Sequence, residues 1–228
     1  MKMRQLFDHA TSSYTYLLWD EDTGQVAIID SVREQVDRDQ KLIVELGLDL
    51  KYALETHIHA DHVTGSGTLR ERLGCRIGLH ANAGNACTDL QLVDGDRIYL
   101  GNQRLEVIYT PGHTDTDISY RSTDSLFTGD VLLIRGSGRT DFQSGDAGLS
   151  YDSITQKIFS LPDETLIYPA HDYNGFSCST VAEERQFNPR LGSGRTREDY
   201  IQIMHSMKLD KPSLMDEAVP SNLACGLG

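Results

Sequence analysis

The chain has 228 residues and carries 34 acidic side chains against 21 basic ones, which gives a formal net charge of −13 with histidine neutral. An acidic surface repels nucleic acid and anionic membranes, so neither is expected as a partner. The chain is long enough to bury a large core, and no apolar run approaches the length of a membrane span.

The compartment is predicted from the amino terminus and from the cysteines. Residues 1–8 lack the apolar core of a signal peptide. The cysteines are scattered and form no Cys-x-x-Cys pair, and they stand at Cys75, Cys87, Cys178 and Cys225. This spacing favours reduced thiols over a disulfide framework. The sequence therefore predicts a cytoplasmic protein.

The first half of the chain alternates between predicted strands and helices. Apolar runs bounded by turn residues predict strands, and apolar residues at helical spacing predict helices. In chain order we predict a strand pair at 15–19 and 26–29, a helix over 32–46, a strand over 52–54, a helix over 65–73 and a strand over 76–79.

The second half is predicted to begin with hairpins and to end with helices. The predicted elements are strand pairs at 97–100 with 104–109 and at 118–120 with 125–128, a helix over 150–159, a strand over 166–168, and helices over 180–187 and 196–207. Residues 84–94 are predicted to be irregular, and the proline-containing tail beyond Lys208 to be coil. Strands in two groups with helices between them predict sheets covered by helices on their outer faces.

A dense group of potential metal ligands follows the strand predicted over 52–54. Three histidines and a carboxylate fall within six residues, namely His57, His59, Asp61 and His62. Neutral imidazole and carboxylate are ligands for Zn, Fe and Mn. A lone histidine is more often a surface or core residue, but four potential ligands at this density predict a metal site.

Three further candidates also come directly after predicted strands. His113 follows a Pro-Gly turn, Asp130 follows a glycine, and His171 follows the strand at 166–168. Taken singly, His113 could be a turn residue, Asp130 a cap and His171 a buried histidine with its hydrogen bonds satisfied. Because all three occur together with the first group, coincidence is improbable, and we treat them as further candidate ligands.

This ligand pattern resembles that of the metallo-β-lactamase superfamily. The resemblance implies an α+β fold, a four-layer αββα sandwich with two β-sheets flanked by helices and the metal at one sheet edge. We expect a single domain over 1–228, with a C-terminal helix and coil extension from about 193. In dinuclear members, one metal is held by positions matching His57, His59 and His113. A second is held by positions matching Asp61, His62 and His171, and the position of Asp130 bridges the two.

Segments after the ligands resemble one family, the persulfide dioxygenases. They lie at 132–143, 167–176, 183–190 and 218–222. That resemblance implies a mononuclear non-haem Fe(II) dioxygenase, with one iron per chain, that oxidises glutathione persulfide with O₂ to sulfite and glutathione. The implied iron ligands are His57, His113 and Asp130, and two histidines with one carboxylate suit Fe(II) oxygenases on chemical grounds as well. The remaining ligand-like residues would then lie around the iron without binding it, namely His59, Asp61, His62 and His171.

Two residues are predicted to bind the substrate. Glutathione carries carboxylates and the protein is acidic, so the site needs a basic group. Arg139 lies in a glycine-rich loop after Asp130 and could form paired hydrogen bonds to a carboxylate, although it could also be a solvated loop charge. Tyr173 could donate its hydroxyl to the substrate or simply pack at the sheet edge. The resemblance places both near the glutathione site.

The sequence leaves two other functions open. A dinuclear hydrolase of the hydroxyacylglutathione type, glyoxalase II, would use all seven ligands, but only 57 residues follow His171. A non-catalytic protein that binds metal or persulfide is the other, and an open coordination sphere suits storage poorly.

Ser137 stands where some family members have cysteine, which excludes thiol chemistry there. Cys225 is assigned no catalytic role, and a homodimer is compatible with the sequence.

Overall fold

Two six-stranded sheets pack face to face, and helices cover the outer face of each. The computed structural model describes residues 1–212 and 214–227. The strands within these residues are β1 (Lys2–Asp8), β2 (Ser13–Trp19), β3 (Gln25–Ile29), β4 (Asp49–Leu54), β5 (Arg76–His80), β6 (Leu90–Leu92), β7 (Arg97–Leu100), β8 (Gln103–Tyr109), β9 (Ile118–Arg121), β10 (Ser125–Gly129), β11 (Leu166–Pro169) and β12 (Ser179–Thr180). The helices are α1 (Val36–Glu45), α2 (Ser66–Leu73), α3 (Ala147–Asp152), α4 (Val181–Phe187), α5 (Arg197–Ser206) and α6 (Met215–Leu223).

In each sheet the strands lie side by side in the order in which they occur along the chain. The first has the order β1-β2-β3-β4-β5-β6, and the second has the order β12-β11-β10-β9-β8-β7. Strands β1 to β3 are antiparallel, whereas β3 to β6 are parallel because helices α1 and α2 return the chain across the sheet. In the second sheet β10 and β11 are parallel, and the other described strand pairs are antiparallel. Helix α3 continues through a π-helical turn over Ser153–Ile158.

Three apolar clusters separate the four layers. The central one lies between the sheets, where Tyr16 of the first sheet meets Phe127 of the second with ring centroids 5.0 Å apart. A second cluster packs helices α3 to α5 on the second sheet, and a third packs α1 and α2 on the first. Successive side chains along a strand point to opposite faces of its sheet. Each sheet therefore contributes buried side chains to the apolar clusters on both of its sides. The predicted four-layer αββα fold is confirmed.

Most predicted elements are present, but three strands and one helix were not predicted. The strands are β1, β12 and the short β6, which lies within the segment 84–94 that was predicted to be irregular. The tail beyond Lys208 was predicted to be coil, but Met215–Leu223 is helical, so that prediction is wrong; its coil assignments at 213 and 228 lie outside the described residues. Proline within α6 masked the helix, because proline usually breaks a helical pattern. The single domain with an extension from about 193 stays a prediction.

The prediction of four reduced cysteines is wrong for two of them. Cys87 and Cys225 form a disulfide across 138 residues of sequence, whereas Cys75 and Cys178 are free. Only the fold brings the two partners together, since their spacing along the chain carries no pairing signal. Within the described residues, none of the helices combines the length and the apolar character needed to cross a membrane.

Candidate metal centre

The predicted ligands meet where the ends of four strands converge. His57 follows β4, His113 follows β8, Asp130 directly follows β10, and His171 follows β11. A backbone hydrogen bond of 2.9 Å from Ile118 N to Thr56 O joins the two sheets at this point. Side chains far apart in sequence therefore converge.

Local hydrogen bonds determine which nitrogen of His57 faces the centre. The Thr56 hydroxyl donates to Asp30 Oδ2 at 2.9 Å, so toward His57 Nδ1, also at 2.9 Å, it acts as an acceptor. The proton of the imidazole is therefore held on Nδ1 and the lone pair lies on Nε2. His57 is buried, and burial, followed by the neighbouring His59 and His113, holds its pKa well below the usual range.

His113 is oriented in the same way by a backbone carbonyl. Its Nδ1 donates to the carbonyl oxygen of Arg139 at 2.6 Å, which leaves Nε2 as the free donor atom. That Nε2 lies 3.6 Å from Asp130 Oδ2. Glycine is required at Gly138, because a Cβ there would lie 2.4 Å from the carbonyl oxygen of Asp130 and 2.8 Å from His113 Nδ1.

These side chains fit a metal ion. One potential ligand atom from each of His57, His113 and Asp130 lies within 4.8 Å of the other two. Asp130 Oδ1 is buried and accepts no hydrogen bond from the described residues. A buried carboxylate oxygen without a partner is costly unless a cation or a donor satisfies it. Two imidazoles and a carboxylate match the donor preference of Fe(II) and Zn(II).

The other four ligand-like residues lie beside this trio, and the three histidines among them contact carboxylates. His59 Nε2 lies 3.1 Å from Asp30 Oδ1 and 3.3 Å from Glu55 Oε2. His62 Nδ1 and His171 Nε2 lie 2.8 and 3.4 Å from Asp61 Oδ2. The buried atoms His59 Nδ1 and His62 Nε2 have no hydrogen-bond partner among the described residues.

Carboxylates control the charge of His171. Burial opposes protonation of His171, but Asp130 and Asp61 outweigh it and raise the pKa of His171 to about 9. Burial likewise opposes ionisation of Asp61, but His62 and His171 hold its pKa well below the usual range. In the metal-free protein the pair of Asp61 and His171 is therefore ionic at neutral pH.

A cleft of about 600 Å³ opens over the centre. Asp61, His113, Asp130 and His171 line its floor, and Met207, Leu209, Pro212 and Leu214 form an apolar wall. The cleft is large enough for a peptide-sized ligand and joins a polar floor to an apolar wall.

The structure places both predicted substrate residues at this cleft. The Arg139 guanidinium forms a paired contact with Asp141 at 2.7 and 2.8 Å, and it donates to the carbonyl oxygens of Leu209 and Asp210. Four of its five donor hydrogens are thereby used. Tyr173 is 70% exposed and stacks on His171 with ring centroids 5.9 Å apart, so its hydroxyl lies at the rim.

Sequence reasoning missed a second arginine in the cleft. Arg190 is half-buried, and Nη1 donates to the carbonyl oxygen of Ser137 at 2.5 Å. Within the described part of the chain its guanidinium forms no ion pair, and burial lowers its pKa. The sequence did contain a signal for this difference between the two arginines. Asp141 follows Arg139 by two positions and can pair with it, whereas residues 187–195 around Arg190 contain no acidic residue.

Comparison with known proteins identifies the family. The sequence pattern of the metallo-beta-lactamase superfamily matches residues 10–171. The human protein named persulfide dioxygenase ETHE1, mitochondrial, is 49% identical over 228 residues, which cover 99% of this chain and 89% of the relative. The crystal structure of ETHE1 from Myxococcus xanthus matches with a TM-score of 0.97 at 51% identity, covering 99% of this chain and 100% of that one.

This chain belongs to the persulfide dioxygenase family of the metallo-β-lactamase superfamily. The predicted family and fold class are thereby confirmed. A probable metallo-hydrolase of Burkholderia pseudomallei is more distant, at 34% identity over 99% of this chain and 93% of the relative. For a member of this family, the cleft over the metal centre is the candidate active site.

Proposed function

We propose that this protein is a mononuclear Fe(II) dioxygenase that oxidises glutathione persulfide with O₂. One persulfide, one O₂ and one water give sulfite, glutathione and two protons. The observation that carries the proposal is the trio of His57, His113 and Asp130, whose potential ligand atoms lie within 4.8 Å of one another. Two of the three, His113 and Asp130, line the floor of the open cleft. Similarity to the human and Myxococcus xanthus persulfide dioxygenases supports the same reaction.

In this proposal the iron ligands are His57 Nε2, His113 Nε2 and the Asp130 carboxylate. Fe(II) held by two histidines and one carboxylate supplies open positions where substrate sulfur and O₂ can react together. The protein's own contribution is orientation, since Thr56 and the Arg139 carbonyl hold the two imidazoles with Nε2 inward. His59, Asp61, His62 and His171 stabilise this arrangement through ion pairs and hydrogen bonds without binding the iron.

The cleft residues would bind the glutathione part of the substrate. Arg190 is half-buried and free of acidic partners among the described residues, so it can offer paired hydrogen bonds to a carboxylate. Arg139 has one donor hydrogen left and also attaches the apolar wall through Leu209 and Asp210. Tyr173 stands at the rim, where its hydroxyl can reach a bound peptide.

The test is oxygen consumption by protein reconstituted anaerobically with Fe(II), with metal content measured on the same sample. We expect glutathione persulfide to cause rapid oxygen uptake and sulfite formation at about one iron per chain. Turnover by catalytic amounts of protein separates an enzyme from a binding protein. Absence of uptake by iron-loaded protein would overturn the proposal.

The dinuclear hydrolase is the second candidate because two buried donor atoms are unsatisfied. His59 Nδ1 and His62 Nε2 lack hydrogen-bond partners among the described residues, and the trio of His59, Asp61 and His62 lies within 4.8 Å. In the dinuclear pattern His59 would bind the first metal and His62 the second, and the two metals would activate a hydroxide for thioester hydrolysis. Hydrolysis of a glutathione thioester without oxygen, at two metals per chain, would favour this function.

Compartment and assembly stay predictions. The prediction of a cytoplasmic location rested partly on four reduced cysteines. The disulfide between Cys87 and Cys225 removes that support. Fractionation of cells that express the tagged protein would test the location. Sedimentation of the purified protein would test the homodimer.

A further inference from the structure

The helix α6 lies directly against the loop 59–64, which follows the proposed ligand His57 and carries His59, Asp61 and His62 beside the metal centre. Asn222 of α6 is buried, and its amide nitrogen donates to the carbonyl oxygens of both His59 and His62 at 2.9 Å. Its amide oxygen accepts a hydrogen bond of 2.8 Å from Thr64 N. One side chain thus binds three backbone groups of the loop 59–64, and these hydrogen bonds fix the loop's path.

Two glycines let the C-terminal backbone approach this loop closely. Gly67 N donates to the carbonyl oxygen of Cys225 at 2.9 Å, and a Cβ on Gly67 would lie 2.4 Å from that oxygen. A Cβ on Gly226 would lie 2.1 Å from the carbonyl oxygen of Thr64. The contact between the C-terminal segment and the ligand loop is therefore made backbone to backbone.

A disulfide fastens this segment to the first half of the chain. Cys225, three residues after Asn222, is bonded to Cys87 in the loop before β6. Cys225 is buried, whereas Cys87 is partly exposed. A thiol from solvent therefore reaches the bond at the sulfur of Cys87.

We propose that Asn222 is a positioning residue for the metal centre and that the Cys87–Cys225 disulfide locks it in place. Reduction of the bond then loosens the segment, frees the loop 59–64 and speeds metal release. The proposal needs a bound metal ion at this centre and does not depend on persulfide oxidation.

The reductant is a low-molecular-weight thiol, a class that includes glutathione. Its thiolate attacks Sγ of Cys87, forms a mixed disulfide and releases the thiolate of Cys225. A second thiolate attacks the small-molecule sulfur of the mixed disulfide and releases Cys87. The two protein sulfurs gain two electrons and two protons, and the two small thiols leave as their disulfide.

The first experiment measures metal release from the wild-type protein. Protein loaded anaerobically with Fe(II) is reduced with dithiothreitol, freed of it by anaerobic desalting and mixed with a ferrous chelator. We expect release to be about tenfold faster than from the oxidised protein, the size of effect typical of groups that orient ligands. Reoxidation should restore slow release.

Cysteine variants supply the matched controls. Cys87→Ser should release metal at the fast rate and be insensitive to dithiothreitol, while Cys178→Ser, at an exposed free cysteine, should behave as wild type. Equal release from oxidised and reduced wild type would overturn the proposal. So would mass spectrometry that finds Cys87 and Cys225 as free thiols in air-oxidised protein.

A substitution of Asn222 tests positioning separately from the disulfide. Asn222→Asp keeps an oxygen acceptor for Thr64 N but removes the donors to the carbonyls of His59 and His62. We expect the visible absorption of the Co(II)-loaded protein to change, because the geometry around the metal changes. Asn102→Asp, at an exposed asparagine on the β7–β8 turn, should leave the spectrum unchanged. An unchanged spectrum in Asn222→Asp would refute the positioning role.

Discussion

The orientation of single imidazole rings determines what this centre can bind. His57 and His113 both use Nδ1 for hydrogen bonds within the protein, at 2.9 and 2.6 Å, and so present Nε2 to the same space. Asp130 adds a buried oxygen without a partner among the described residues. His171, in contrast, directs Nε2 at Asp61. The first three are therefore available as ligands, while His171 already has an ionic partner.

Metal content should separate these two kinds of residue. Asp130→Ala removes a proposed ligand and should lower iron to well below one per chain. His171→Ala removes a neighbour of the centre and should leave about one iron per chain, as expected for a mononuclear site. Metal analysis of both variants after identical anaerobic loading makes the comparison. If His171→Ala halves a wild-type content of two metals, the mononuclear assignment is wrong.

The two arginines of the cleft should differ in their effects on substrate binding. Arg190→Ala should raise KM by about tenfold or more, because a charge-assisted hydrogen bond contributes about 1.5–3 kcal/mol. Arg139→Ala should also weaken binding, but less, because most of its donors bind Asp141 and the wall. Steady-state kinetics with glutathione persulfide gives both values, and iron content should stay at the wild-type level. A larger effect at Arg139 would reverse the assignment.

At the scale of elements, the loop after Asp130 is fixed from outside the site. Glu184 of α4 is fully buried and accepts hydrogen bonds from Arg135 N at 2.9 Å and from Asn188 at 2.9 Å. Asn188 in turn donates to the carbonyl oxygen of Gly136 at 3.0 Å. The same loop carries the Arg139 carbonyl that orients His113, so α4 supports the metal centre indirectly.

Two neighbouring glycines of this loop offer a matched test. Gly138→Ala places a Cβ 2.4 Å from the carbonyl oxygen of Asp130, so the loop must move and His113 must lose its orientation. We expect iron affinity to fall about tenfold or more. Gly136→Ala meets only Leu133 Cβ at 3.7 Å and should bind iron as wild type does. Titration with Fe(II) under anaerobic conditions measures both affinities, and equal values would contradict the packing argument.

At the scale of the molecule, the centre joins the two sheets. His57 comes from the first sheet, and His113 and Asp130 come from the second. A ligand that binds only the folded state stabilises it by mass action. Metal binding should therefore stabilise the packing of the first sheet against the second.

Metal addition should raise the melting temperature of the metal-free protein. At a free metal concentration 100 times the Kd the gain is about 2.7 kcal/mol, which corresponds to about 5–10 °C for a chain of this size. Differential scanning calorimetry with and without Fe(II), in the absence of oxygen, measures the shift. Asp130→Ala, which lacks a proposed ligand, should show a much smaller one.

The sequence by itself indicated two groups of strands covered by helices and the positions of the candidate ligands. Ligands in the segment 57–62 are contiguous, and His113, Asp130 and His171 each follow a strand that its apolar pattern reveals. These signals are local, because a strand's alternation and the turn after it are encoded by neighbouring residues. The resemblance to a family then supplied the four-layer fold and the expected reaction, which periodicity alone could not.

Only the tertiary structure decided which distant groups complete the site. The contacts of Asn222 with the ligand loop, the Cys87–Cys225 bond and the position of Arg190 join segments that are far apart in the chain. Arg139 was expected to be available to bind a substrate carboxylate, but in the structure its guanidinium already binds Asp141. Such pairings depend on how the layers pack against one another. The residues next to each position in the sequence do not encode that packing.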